Sequence, residues 1–184
     1  MQQQLNDIVE SLKSAQTRLR ALTDKLSDSE WSGKPGPDRW SPAECVEHLN
    51  LTSRAYLPLL HDAVAKARKS RANPKTHYRR DAIGWFMSKM IAPRHPRKVP
   101  LPRVKTTPDF VPKAKRSRTA TLSEFVQLQG ALVTLIRSAD GLPIDDVKIV
   151  SPFGGRMKYN AYSALVILER HEHRHLQQAE EASL

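Results

Sequence analysis

The stretch Asn160-Ala161-Tyr162-Ser163-Ala164-Leu165-Val166-Ile167-Leu168-Glu169-Arg170-His171-Glu172-His173-Arg174-His175-Leu176-Gln177-Gln178-Ala179 decides how this chain folds. Asn160 is a suitable N-cap, and the apolar residues that follow recur at helical spacing. At 100° per residue, Ala164, Leu168, His171, His175 and Ala179 fall on one stripe, while His173 points nearly the opposite way. Two histidines thus continue the apolar face of an amphipathic helix, where a core is expected.

Three other segments carry the same period, and none shows a sustained strand alternation. Leu5, Ile8, Val9, Leu12, Ala15, Leu19, Leu22 and Leu26 give one stripe over about six turns. A turn-rich stretch, 32–39, flanked by Trp31 and Trp40, separates it from a second helix. That helix opens on Ser41-Pro42-Ala43-Glu44, a capping box with proline at the first helical position. It runs to about Lys69, with a bend expected at Pro58. The third long helix is expected to start at a second capping box, Thr121-Leu122-Ser123-Glu124, and to stop at Gly141 with Pro143 beyond. The expected fold is all-α, a four-helix bundle forming a single domain over 1–184.

Between the second and third helices lies a long crossover. Residues 66–118 hold 17 Lys+Arg against only Asp81 and Asp109, a net of +15, whereas the whole 184-residue chain carries +11. Seven of the 13 prolines fall there, which blocks regular structure through most of it. Residues 82–91 are apolar enough to form a short helix, expected to pack as a lid over the bundle.

Composition narrows the chemistry further. At 39% hydrophobic and 27% charged the chain reads as a soluble globular protein, with no apolar run long enough to cross a bilayer and no signal-peptide core at the N-terminus. A cytoplasmic location is expected. The lone Cys45 excludes an internal disulfide and a cysteine-based metal cluster. Metal chemistry therefore falls to histidine and carboxylate.

On the second helix His48 lies within about 60° of Cys45, Thr52, Ala55 and Leu59, a core-side line, while His61 falls about 140° away and should face solvent. His171 and His175, one turn apart, can share one ion at about 2.0–2.1 Å, and His48 can supply a third nitrogen from a facing helix. Three neutral imidazoles leave coordination positions open for water and substrate, as catalytic sites do. The simpler reading of each histidine is a hydrogen-bonded core residue. Three together favour a shared purpose, since each would otherwise need separate satisfaction.

Three further pieces belong beside these histidines: Arg39-Trp40-Ser41-Pro42-Ala43-Glu44-Cys45-Val46-Glu47-His48-Leu49, then Pro152-Phe153-Gly154, then Glu169 to Gln178 with its H-x-x-x-H. In their order, from about Trp31 to Gln178, the chain resembles the DinB-like superfamily, the metal-binding four-helix bundles typified by damage-inducible DinB proteins and the bacillithiol and mycothiol S-transferases. Phe110-Val111-Pro112 before the third helix is similar to one branch of it. The resemblance implies that His48, His171 and His175 bind a divalent ion, commonly zinc or nickel. The function expected of such a site is that of a metal-dependent enzyme of thiol S-transferase or hydrolase type, acting on a small molecule such as a low-molecular-weight thiol. The ion would lower the pKa of water or of a substrate thiol, and crossover cations would hold an anionic partner.

Other readings compete with this one. His171-Glu172-His173-Arg174-His175 also satisfies H-E-x-x-H, the zinc-protease signature, but nine residues follow His175 and no strand pattern precedes the helix. Glu172 is a candidate catalytic base or ligand-orienting group, with an ordinary exposed glutamate between Arg170 and Arg174 as the simpler alternative. The second function class is a nucleic-acid or other polyanion binder acting through 66–118, with Tyr78, Trp85 and Phe86 for stacking. The apolar segment 85–91 could instead touch a membrane or a partner subunit, and a homodimer through helix faces is compatible with the pattern.

Overall fold

Each long apolar stripe folds as the helix that its period predicts. The computed structural model describes residues 1–93, 106–112, 116–154 and 156–183. Its elements in chain order are α1 (Gln3–Thr23), α2 (Asp28–Ser32), α3 (Pro42–Lys69), α4 (Ala82–Met90), a 3-10 turn (Pro108–Phe110), α5 (Arg118–Ser138), β1 (Lys148–Val150), β2 (Lys158–Asn160) and α6 (Ala161–Ala182). The four long helices pack in a ring: α1 against α5 and α6, and α3 against the same two, so that α1 and α3 take opposite corners. This is an all-α bundle with one small antiparallel hairpin, in which Ile149 pairs with Tyr159. The proline-rich parts of the crossover at 94–105 and 113–115 lie outside the described residues.

Capping fixes the register of the helix that matters most. The Glu44 amide donates to Ser41 Oγ and the Ser41 amide donates to Glu44 Oε2, with Pro42 at the first turn. From there α3 continues through Pro58 to Lys69 as one helix. Gly141, at φ 73, takes the left-handed conformation in the turn that follows α5.

Three expectations are corrected. The third long helix begins at Arg118, not at Thr121: Ser117 Oγ accepts the Ala120 amide one turn earlier, and Glu124 is drawn into ion pairs with Arg54 and Arg116. The first helix ends at Thr23 rather than running on to Leu26, and a short helix not expected from the sequence, α2, precedes the turn-rich stretch with its own capping box from Ser27 to Glu30. And α4 does not close an open end of the bundle. It runs alongside α6, with Gly84 against Ser163, the Ser88 carbonyl accepting from Arg170 and the Met90 carbonyl from Arg174.

The core is split. One cluster gathers Leu5, Leu12, Tyr56, Leu60, Leu135, Ile136, Leu165 and Ile167; a second gathers Ala15, Leu19, Trp31, Val46, Leu49, Phe125 and Leu176. Along α3 and α6 the residues between the clusters are polar and buried: His48, Asn50 and Thr52 on one helix, His171, Glu172 and His175 on the other. Each fully buried leucine contributes about 2 kcal/mol on either side. A polar layer inside such a core must be satisfied within itself.

Gly84 marks where backbone approach is tightest, since an added Cβ would lie 2.1 Å from Ser163 Oγ and 2.2 Å from Ser163 Cβ. Gly84→Ala is expected to lose about 1–3 kcal/mol in urea denaturation through overpacking. Gly130→Ala, at an exposed position of α5 where the methyl meets nothing within 4 Å, should instead gain roughly 0.5–1 kcal/mol.

Candidate metal centre

The polar layer resolves into three histidines from two adjacent helices. His48 of α3 and His171 and His175 of α6 are all buried, and each offers a ligand atom within 4.8 Å of the others. Their ring centroids are 4.4 to 5.0 Å apart. The projection that put them on inward stripes is met. His61 and His77 are exposed, and His173 turns to the α1 side, where it meets Ser11 and Arg18.

His48 is oriented from outside the bundle. Its Nδ1 lies 2.7 Å from the Phe110 carbonyl oxygen, which can only accept, so Nδ1 carries the proton and Nε2 presents a lone pair. That Nε2 is 3.1 Å from Nε2 of His171. Two nitrogens bound tetrahedrally to one ion at 2.0–2.1 Å would stand about 3.3 Å apart, so the spacing fits a shared divalent ion. Nδ1 of His171 and Nδ1 of His175 are each buried without a hydrogen-bond partner among the described residues. An all-imidazole donor set suits zinc, nickel or copper rather than magnesium or calcium.

Aromatic rings close the surroundings. The Trp40 ring centroid is 4.8 Å from that of His48 and 5.7 Å from that of His175, and Phe153 is 5.6 Å from His171. Phe110 and Phe153 stand 4.6 Å apart, and Phe153 meets Tyr56, whose hydroxyl bonds that of Tyr159. The motif pieces holding Trp40, Phe110 and Phe153 were visible in the sequence. Their part in the site was not, because a ring wall drawn from a turn, a crossover and a hairpin has no period.

Burial sets the electrostatics. It lowers the His48 pKa to about 4 against the opposing effect of the Phe110 carbonyl, and holds His171 and His175 well below the usual histidine range, where neighbouring imidazoles and Arg174 push the same way. All three are therefore neutral at pH 7, the form a metal requires. Burial pushes the Cys45 thiol up, which leaves it a protonated core residue. Glu172 is not the exposed glutamate of the simpler reading. It is buried, accepts from the Gln129 side-chain amide of α5, and has a pKa raised to about 8 by burial, with Gln129 opposing.

A pH dependence follows for chelator-treated protein. Unfolded histidine takes up a proton near pH 6.5, but folded His48 resists it until about pH 4, so stability is lost as pH falls through this window and His48 alone accounts for about 3 kcal/mol. Urea midpoints at pH 7, 6 and 5 should fall in that order, less steeply in His48→Gln. Glu172, its pKa raised to about 8, takes up its proton more readily when folded and opposes the fall over the same range, so it is a profile still flat in Glu172→Gln that would contradict three neutral buried rings.

Comparison with known proteins agrees with this geometry. No curated protein and no solved structure matches the chain. A model of the DinB superfamily matches residues 11–179 of the 184, a span that contains His48, His171, His175, the whole of α3 and all but the last three residues of α6. The chain belongs to the DinB superfamily.

Proposed function

We propose that the protein is a divalent-metal-dependent enzyme of thiol S-transferase or hydrolase type, with His48, His171 and His175 as the ligands. The observation that carries this reading is the 3.1 Å approach of two buried imidazole nitrogens, one of them fixed as a lone-pair donor by the Phe110 carbonyl. A divalent ion held there supplies Lewis-acid chemistry, lowering the pKa of a water or a thiol so that it is ionised near neutral pH.

The chain's own residues do the rest. Phe110 holds the His48 tautomer, and the Trp40, Phe110 and Phe153 rings keep bulk water from the ligands, which strengthens every charge interaction among them. Glu172 acts as a positioning residue: its bond to Gln129 ties α6 to α5 beside His171 and holds the rotation of the helix that carries two ligands. Zinc and nickel are the expected ions, and a low-molecular-weight thiol the expected substrate. The location that suits such a substrate is the cytoplasm.

Elemental analysis of purified protein should find about one zinc or nickel per chain, in keeping with a single three-histidine site. His48→Ala should weaken metal affinity at least about tenfold, whereas Cys45→Ser should leave stoichiometry unchanged. Metal-free wild type, or full occupancy in His48→Ala, rules the assignment out. Chelation should lower the melting temperature, consistent with about 3–4 kcal/mol of linkage at ion concentrations of 100 to 1,000 times Kd. A thiol-transfer screen then separates transferase from hydrolase.

A further inference from the structure

Helix α4 is amphipathic in the reverse sense. It turns Gly84 and Ser88 inward, and leaves Ile83, Trp85 and Phe86 at 44%, 50% and 56% exposure. The outward arc is completed by Ala82 and Lys89, with the Lys89 ammonium 6.0 Å from the Trp85 ring centroid. An apolar helix face in water is unusual unless something covers it.

The orientation is built into the packing. Gly84 has no room for a Cβ against Ser163, so no rotation can bring Trp85 inward. Asp81 caps the first turn by accepting the Gly84 amide, and its other oxygen accepts the Asn160 amide of β2. At the far end Arg170 and Arg174 hold the Ser88 and Met90 carbonyls, and Arg80 donates to Ser88 Oγ. Both ends of the helix and its inner face are tied down with the large side chains pointing out.

Charge identifies the occupant. Arg79, Lys89 and Lys158 are exposed on or beside α4, as is Lys148, 4.0 Å from the capping carboxylate of Asp81. The crossover that contains the helix carries a net +15. A second copy of the chain would bring two such positive regions together. A nucleic acid would satisfy the cations, but a convex helix offers no groove for a strand, and Ile83 and Phe86 would gain little from phosphates. An anionic bilayer surface satisfies both halves of the face, with headgroup phosphates for the cations and the acyl boundary for the rings.

We propose that α4 is a peripheral docking site for anionic lipid membranes, with Ile83, Trp85 and Phe86 entering the headgroup–acyl boundary and Lys89 and its cationic neighbours pairing with the phosphates. Among the described residues no helix is long and apolar enough to cross a membrane, so the chain would lie on the surface rather than span it.

The test is cosedimentation of the full-length protein with vesicles of phosphatidylcholine alone, or with about 30% phosphatidylglycerol, at roughly 0.1 M salt. Binding is expected to the anionic vesicles and not to the neutral ones. The double variant Trp85→Ser/Phe86→Ser, altered only on exposed side chains and checked for unchanged circular dichroism and metal content, should bind at least about tenfold more weakly. Lys89→Glu should weaken binding severalfold. The proposal is overturned if wild type ignores anionic vesicles, or if the double variant binds them equally. It is also overturned if the double substitution abolishes a monomer–dimer equilibrium in sedimentation velocity, which assigns the face to a second copy. Loss of a tighter interaction with unrelated DNA or RNA in that variant would assign it to nucleic acid.

Discussion

The fold is organised around three uncharged imidazoles buried side by side between two apolar clusters. Burial forbids their protonation, so they must remain neutral, and neutral rings this close need either complementary tautomers or a common electrophile. The Phe110 carbonyl decides the tautomer of His48, and His48 in turn faces Nε2 of His171. Every neighbouring element serves that arrangement. The capping box of α3 fixes the start of the helix that carries His48, the Gln129–Glu172 bond links α6 to α5, and the Trp40 ring lies against His48 and His175.

Much of this was legible before any coordinates. Four periodic stripes gave four helices, and projection alone separated His48, His171 and His175 from His61 and His173, because helical phase is a property of spacing. What escaped was whatever depends on competition between near-equal local choices. Ser117 and Thr121 are both good caps, and the earlier one prevails because Glu124 is engaged by arginines from other segments. The strands of the hairpin are three residues each, too short to show an alternation. Glu172 could not be placed because an apolar partner and the Gln129 amide of a distant helix look alike from one sequence.

The positive charge divides into two kinds. Arg116 and Arg118 are spent on the protein itself, the first bridging Glu47 and Glu124, the second meeting the Thr23 and Leu26 carbonyls and lying 5.6 Å from the Trp31 ring. Arg170 and Arg174 do the same for α4. Net charge therefore overstates what the surface offers, and the cations near α4 matter because they sit beside exposed aromatic rings.

The distance along the chain between the ligand helices has a bearing on biosynthesis. His48 and His171 are separated by 123 residues, and α6 comes after α1 to α5 in chain order. While the nascent chain holds only α1 to α5, His48 has no imidazole to face, and the groove that α6 will occupy is open between α1 and α3. The three-histidine cluster can form only once α6 has docked, and until then the exposed apolar walls of that groove are what a ribosome-associated chaperone would meet.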